Sequence, residues 1–234
     1  MMIYKTVLLK LSGEAFSGSL GRGIDRGVLC GIVGELKPLL EEGLRLGVVI
    51  GGGNFWRGRD AEGFDRASAD AIGMMATVMN ALALQEVFIS RGIEAEVMSA
   101  VDVPRFAPAI SILGARRFLD SGKVVIFSGG TGAPFVSTDT AAAMRALEIK
   151  ADALLKATLV DGVYDKDPNK YPDAVKYDSI SYLKVIEDNL KVMDLPAISL
   201  CRDNSLTVRI FNMTKKGTVS AVLHGAAEGT IVKE

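Results

Sequence analysis

The sequence predicts an α/β fold, a three-layer α/β/α sandwich with a mostly parallel central sheet. Apolar runs of strand length alternate along the chain with longer segments of helical period. The run Val124–Phe127 is apolar at every position, as expected when helices cover both faces of a parallel sheet. Glycines collect directly after several of these runs, at the strand ends where ligands bind in open α/β sheets.

The predicted elements follow one another in regular alternation. The strands lie near Tyr4–Leu11, Gly47–Ile50, Glu94–Met98, Lys123–Phe127, Ala153–Lys156, Thr207–Phe211 and Gly229–Val232. The helices fill Asp25–Leu44, Ser68–Arg91, Ala107–Asp120, Thr138–Ile149 and Asp194–Asp203. Asp25 is expected to cap the start of the first helix, and Gly43 its end. The segment Val160–Tyr177, rich in Asp, Lys, Pro and Tyr, predicts a long functional loop or a small hairpin.

Composition and charge favour one globular domain, residues 1–234, in a reducing cytoplasm. Hydrophobic residues make up 49% of the 234 residues, and the net charge of -1 gives no basic field for non-specific nucleic-acid binding. Cys30 and Cys201 form neither a metal-ligand pair nor a disulfide framework. We expect no signal peptide and no membrane segment, because the N-terminal run Val7–Leu11 is short and interrupted by Lys10.

Glycine-rich loops follow three predicted strands at the same edge of the sheet. They are Lys10–Gly13, Gly51–Gly58 and Ser128–Gly132. Glycine lets backbone N–H groups approach a phosphate closely, and a following helix N-terminus adds partial positive charge. One such loop is explained by tight packing alone. Three at one edge predict an anion-binding site.

The common nucleotide-binding and catalytic motifs are incomplete in this sequence. Gly13 and Gly18 have the spacing of a Walker loop, but Ser19 stands in the place of its lysine. The dinucleotide fingerprint lacks its third glycine, at Trp56. The His-Arg-Asp and Asp-Phe-Gly motifs of protein kinases are absent from the sequence. The single histidine, His224, lies far from any nucleophile motif, which argues against a Ser-His-Asp hydrolase.

Two lysines and two carboxylates are the charged candidates at the glycine edge. Lys10 interrupts one apolar strand and Lys156 ends another, and charges are rarely buried unless paired. Both lysines are therefore predicted to face this edge, although a lysine extending to solvent at a sheet margin is the alternative. Asp139 is either a helix cap or a partner that orients a lysine or a magnesium-bound phosphate. Asp167 is either a turn former or a second such partner.

Six segments, taken together, resemble the amino-acid-kinase superfamily and, within it, the bacterial-type UMP kinases. They are Leu8–Ala15, Val48–Asn54 with Arg57-Gly58, Gly73–Asn80, Lys156–Tyr164, Lys191–Leu195 and Arg209–Met213. The triple glycine alone is common to the superfamily, whereas the six segments in this order are highly specific, and the resemblance covers essentially the whole chain. The resemblance implies phosphorylation of UMP to UDP by ATP with Mg²⁺, in pyrimidine nucleotide biosynthesis.

The resemblance also implies roles for individual residues. The ATP-binding residues would be Lys10, Leu11, Ser12, Gly13, Gly53, Arg57, Thr158, Tyr164 and Asp167. The UMP-binding residues would be Gly52, Asp70, Thr131, Gly132, Ala133, Pro134, Phe135, Val136, Ser137 and Thr138. Asp194 is a further acid of the site or the N-cap of its helix. Ala133 replaces the family's usual Asn, so no amide is available there to bond uracil. Val136-Ser137 replaces a more usual aromatic residue and Thr.

The resemblance further implies a regulated oligomer. The loop Gly18, Ser19, Leu20, Gly21, Arg22 and Gly23 corresponds to the family's GTP-effector region, although it also reads as an ordinary glycine-rich turn. GTP and UTP are the implied effectors, and a homohexamer is the implied assembly. The apolar, Met-rich segment Gly73–Ala83 serves either the core or an interface between subunits.

The chemistry expected at such a site needs no general base. The second pKa of a phosphate monoester is about 6, so the acceptor oxygen is already mainly deprotonated at neutral pH. In-line positioning and charge neutralisation remain, and we assign them to Lys10, Lys156, Arg57 and magnesium, with Asp139 as an orienting group. Two alternatives stay open: a kinase of the same fold that acts on a carboxylate such as acetylglutamate, aspartate or glutamate, and a non-catalytic nucleotide- or oxyanion-binding protein.

Overall fold

A central eight-stranded sheet organises the part of the chain that the computed structural model describes, residues 1–57, 61–168 and 170–234. The strands are β1 Thr6–Leu11, β2 Arg45–Ile50, β3 Ala95–Ser99, β4 Val124–Ser128, β5 Ala153–Thr158, β6 Val163–Tyr164, β7 Lys176–Tyr177, β8 Ser179–Ser181, β9 Thr207–Asn212 and β10 Thr230–Lys233. Their order in the large sheet is β3-β4-β2-β1-β5-β9-β10-β8.

The strand pairing confirms the mostly parallel sheet. Neighbours from β3 to β9 run parallel, as do β10 and β8, and within the described part of the eight-stranded sheet only the pair β9–β10 is antiparallel. Strands β6 and β7 form a separate antiparallel pair, so of the long loop and the small hairpin that were open for Val160–Tyr177, the structure shows the hairpin. Strand β8, only three residues long, was not predicted.

Helices cover both faces of the sheet and complete the three layers. They are α1 Arg26–Glu41, α2 Arg66–Ser90, α3 Ile112–Asp120, α4 Thr138–Glu148, α5 Tyr182–Glu187, α6 Leu195–Asp203 and α7 Thr218–Leu223, with a 3₁₀ helix at Gly13–Leu20. Side chains of α1, α2 and α7 share a core with Val7, Leu9 and Leu11 of β1. Side chains of α3, α4, α5 and α6 share a second core with Leu8, because successive strand residues point to opposite faces.

The ends of α1 follow the local signals in the sequence. The carboxylate of Asp25 accepts hydrogen bonds from Gly27 N and Val28 N, at 2.8 and 3.4 Å. Gly43 lies one residue beyond the C-cap, Glu42, and its φ of 96° is one that favours glycine. Helices α5 and α7 were not predicted, because six residues are too few for a helical period to stand out.

Helix α2 is apolar on two faces, although no segment long enough to cross a membrane was expected from the sequence. By length and composition alone, its 25 residues would suffice to cross a membrane, with a mean hydropathy of 1.5 in the best window. Buried residues such as Ala81 and Leu84 pack instead in the core beside the sheet. Met75 and Met79 remain 46% and 47% exposed. The helix is therefore a core element with an uncovered apolar face.

Candidate active site

Asp139 lies between two lysines at the carboxyl end of the sheet. Lys10 Nζ is 2.8 Å from Asp139 Oδ1, and Lys156 Nζ is 2.7 Å from Asp139 Oδ2. Strands β1 and β5 are parallel neighbours in which Lys10 is paired with Lys156, so both side chains reach the same carboxylate. The three side chains are only 12–15% exposed. Neither lysine extends along the sheet margin into solvent.

The pKa values in this cluster reflect burial and charge together. Burial is the strongest influence on Lys156 and brings its pKa below that of an ordinary lysine, although Asp139 opposes the shift. Burial raises the pKa of Asp139, but Lys10 and Lys156 together outweigh it and hold that pKa below its usual value. Both pKa values are therefore lowered, that of Lys156 by burial and that of Asp139 by its two cationic neighbours. The cluster thus has one cation in excess, in a place nearly shielded from water.

The carboxylates near the cluster are not helix caps. Ser137 Oγ caps α4 by accepting from Asp139 N and Thr140 N, which leaves the Asp139 side chain for the lysines. Asp194 occupies the N-cap position of α6 but makes no capping bond there. It accepts instead from Thr140 Oγ1 at 2.8 Å, and its buried Oδ1 atom has no hydrogen-bond partner among the described residues. Neither acid therefore caps its helix through its side chain.

Two glycine loops touch each other through their backbones. A Cβ atom on Gly13 would lie 2.4 Å from Gly51 O and 2.7 Å from Gly53 N, so only glycine fits at this position. The second loop is also anchored to α2, because Asn80 Nδ2 donates to Gly51 O at 2.8 Å. Asn80 and Asn54 are buried and exchange two hydrogen bonds, of 2.8 and 2.9 Å. Both asparagines end segments that carry the family resemblance, Val48–Asn54 and Gly73–Asn80, but the sequence did not indicate that they pair with each other.

Arg57 and Glu14 join the same two loops from the solvent side. Arg57 Nη2 lies 2.6 Å from Glu14 Oε1, and the two side chains are 46% and 45% exposed. A pair this exposed contributes little to stability. Glu14 was not predicted as a site residue, and Gly58 lies outside the described residues.

A small cavity on the α2 side contains many of the predicted UMP-binding residues. It measures about 130 Å³ and is lined by Gly52, Trp56, Asp70, Gly73, Met74, Thr77, Gly130, Thr131, Ala133, Val136 and Thr138. Gly132, Pro134, Phe135 and Ser137 do not line it. Phe135 contributes through its backbone instead, since its N–H donates to Asp70 Oδ2 at 2.9 Å. Ser137 lines a neighbouring cavity of about 360 Å³ with Asp139, Lys156 and Asp194.

The predicted ATP-binding residues beyond the lysine cluster lie along the ends of β5 and β6. Thr158 ends β5, and its hydroxyl donates to Val160 O at 2.7 Å. Tyr164 ends β6, and Asp167 follows in the turn, where its carbonyl accepts from Lys170 N and Tyr171 N. The three residues therefore follow the lysine cluster in the direction away from the α2 cavity.

A larger cavity of about 770 Å³ lies between α1, α7 and the sheet, with mainly apolar lining. Its lining includes Leu11, one of the predicted ATP-binding residues, and Gly18 of the predicted effector loop. Glu14 lines it as well, whereas Lys10, Asp139 and Lys156 do not.

The chain is similar to a known protein family and to several solved structures. The model of the Amino acid kinase family matches residues 5–212. The solved UMP kinase from Bacillus anthracis is 38% identical with a TM-score of 0.95, over 98% of this chain and 96% of that chain. The UMP kinase from Ureaplasma parvum is 32% identical with a TM-score of 0.93, over 100% of both chains. The uridylate kinase from Archaeoglobus fulgidus is 26% identical with a TM-score of 0.74, over 99% and 100%.

Proposed function

Because the chain belongs to the amino acid kinase family, we propose that it transfers the γ-phosphoryl group of ATP to UMP, giving ADP and UDP for pyrimidine nucleotide biosynthesis. The observation that carries the proposal is the cluster Lys10–Asp139–Lys156, which lies at the glycine edge between the α2 cavity and the end of β5. A cluster with one cation in excess suits a transferring group whose oxygens carry negative charge.

The proposed division of labour follows from position. UMP occupies the α2 side, with Gly52, Asp70 and the loop 131–138, and ATP lies over Gly13, Gly53 and the end of β5. Lys10 and Lys156 neutralise charge on the transferring group, while Asp139 fixes both ammonium groups in place. Arg57 and the backbone N–H groups of the glycine loops hold the donor phosphates. The acceptor phosphate is already ionised, so no side chain has to remove a proton.

Magnesium fits this site as a companion of ATP. No group of three metal-ligating side chains comes together within residues 1–57, 61–168 and 170–234. Both oxygens of Asp139 are engaged by lysines, whereas Asp194 Oδ1 is not engaged by any described residue. We therefore propose that the ATP phosphates, water and Asp194 hold Mg²⁺, as is usual for this ion. The ion would neutralise further negative charge on the phosphates.

A coupled ADP-release assay tests the function directly. We expect turnover with UMP and Mg²⁺, and a kcat/KM for UMP that exceeds the value for CMP by roughly 10²-fold or more, because a site matched to uracil leaves polar groups unpaired with cytosine. Equal turnover of CMP would contradict uracil selectivity. Omitting Mg²⁺ should abolish turnover.

The same assay separates the alternatives. Acetylglutamate, aspartate and glutamate are offered in parallel with hydroxylamine, which traps acyl phosphates as hydroxamates. Hydroxamate formation in place of UDP would favour a kinase that acts on a carboxylate. If no ADP is released with any of these acceptors, the result would favour the non-catalytic binding protein.

We propose that the chain forms a homo-oligomer, a hexamer by its resemblance to the UMP kinases, through the exposed face of α2. Ile72, Met75, Met79 and Ile89 are 38–53% exposed on this helix. Exposed apolar side chains gathered on one helix, as Ile72, Met75 and Met79 are, favour an interaction surface. Sedimentation would then give a mass several times the 24.9 kDa of one chain.

The unpaired Cys30 and Cys201 and the use of ATP support a cytoplasmic location, which cell fractionation would test.

A GTP or UTP effector at the loop 18–23 has a physical route to the glycine edge. Gly23 N donates to Asn54 O, and Asn54 Nδ2 donates to Gly23 O at 2.8 Å. Asn54 in turn bonds Asn80, which holds Gly51. Displacement of the loop would therefore reach the phosphate-binding backbone through Asn54.

We expect GTP to change the initial rate against UMP, and the change to shrink in Arg22→Ala, which removes a cation for the effector phosphates. A rate curve unaffected by GTP would contradict the effector role. UTP inhibition that excess UMP abolishes would place UTP in the acceptor pocket instead.

A further inference from the structure

We propose that Arg66 is a positioning residue of the acceptor pocket. It fixes the position of Asp70 relative to the loop 131–136. The inference rests on the proposed function. Arg66 was not among the residues that the sequence indicated, and it does not line the cavity itself. It acts through the two groups that do form the walls of the pocket, one on α2 and one on the connection between β4 and α4.

The geometry joins three groups around one carboxylate oxygen. Arg66 Nε lies 2.9 Å from Asp70 Oδ2, across one turn of α2. The same oxygen accepts a hydrogen bond from Phe135 N at 2.9 Å. The guanidinium carbon of Arg66 lies 5.9 Å from the centroid of the Phe135 ring, within the range of a cation–π contact. Arg66 is thus linked to Phe135 directly through the ring and indirectly through Asp70.

This arrangement differs from an ordinary ion pair on a helix surface. Asp70 is only 18% exposed, and it lines the cavity. Phe135 has a φ of 67°, in the left-handed region that a bulky residue rarely adopts. Such a conformation persists only where the surroundings hold it. The bond to Asp70 and the contact with Arg66 are two interactions that Phe135 makes in this conformation.

The size of the cavity shows why the positioning matters for the acceptor. Ligand pockets usually measure about 300–1,000 Å³, and this cavity measures about 130 Å³, so a small shift of its walls changes the space left for the acceptor. Asp70 and the loop 131–136 lie on two sides of the cavity, and the bonds to Asp70 Oδ2 fix their separation. The Oδ1 atom takes part in neither bond and is left for a donor group of the acceptor.

The test compares Arg66→Ala with a matched control. We expect Arg66→Ala to raise the KM for UMP about tenfold, with kcat changed less than about threefold and the KM for ATP unchanged, since only acceptor positioning is lost. The single tryptophan, Trp56, lines the cavity, so its fluorescence reports the Kd for UMP without turnover. Arg45→Ala is the control, because Arg45 pairs with Asp120 at similar exposure but at the opposite end of the sheet. Its constants should match those of the parent protein.

Each outcome separates a positioning role from a structural one. Arg66→Lys keeps the charge beside Asp70 and should restore most of the affinity for UMP. An unchanged Kd for UMP in Arg66→Ala, or an equal rise in the KM for ATP, would overturn the proposal. A parent protein whose tryptophan fluorescence and ADP release both fail to respond to UMP would instead overturn the proposed function, and this inference with it.

Discussion

Asp139→Asn is expected to destabilise the folded protein by about 3–5 kcal/mol, because it leaves buried ammonium groups without their counter-charge. Lys10 and Lys156 both bond this carboxylate, at 2.8 and 2.7 Å, and their side chains are 12% and 14% exposed. Asparagine keeps an oxygen for one of them but supplies no negative charge. Thermal or denaturant unfolding of the protein without ligands measures the loss.

The same variant should respond strongly to anions. Pyrophosphate placed at the cluster would restore the missing negative charge, so it should raise the unfolding midpoint of Asp139→Asn more than that of the parent protein. Asp173→Asn serves as the control, because Asp173 pairs with Lys166 while remaining 76% exposed. We expect this control to change stability by less than about 0.5 kcal/mol. A parent-like midpoint for Asp139→Asn would show that the lysines do not depend on it.

Lys10→Ala and Lys156→Ala should each lower kcat by roughly 10²–10³, the usual cost of losing one preorganised charge contact with a transition state. Their effect on stability should be smaller, about 1 kcal/mol, because the remaining lysine still pairs with Asp139. Removing one cation balances the cluster, whereas removing the carboxylate leaves it unbalanced. The lysine variants are therefore expected to lose mainly kcat, whereas Asp139→Asn is expected to lose stability.

The measurement pairs kcat at saturating ATP and UMP with the unfolding midpoint. Lys184→Ala is a suitable control, because Lys184 pairs with Asp188 on the surface of α5 at 49% exposure. It should retain the kcat of the parent protein. Near-normal turnover in both Lys10→Ala and Lys156→Ala would mean that these lysines balance Asp139 without touching the reacting phosphates.

Features set by neighbouring residues could be predicted from the sequence. The apolar run of β4 indicated a covered parallel strand, and Asp25 and Gly43 marked the ends of α1 within a residue or two. The hairpin between Val163 and Tyr177 was one of the two structures that its polar composition left open. Lys10 and Lys156 were notable as charges in apolar strands. Each of these signals arises within a few residues, where hydrophobic period and capping chemistry act. The short elements α5, α7 and β8 had too few residues to show a period.

Contacts between distant segments were decided only by the tertiary structure. Sequence could not say whether Asp139 caps α4 or pairs with lysines, because that depends on β1 and β5 lying side by side. Nor could it show that Asp194 bonds Thr140, that Asn54 pairs with Asn80, or that Arg66 reaches Phe135 through Asp70. A side chain's partner depends on which strands and loops the fold brings together, and residue type alone states only that a buried charge needs one.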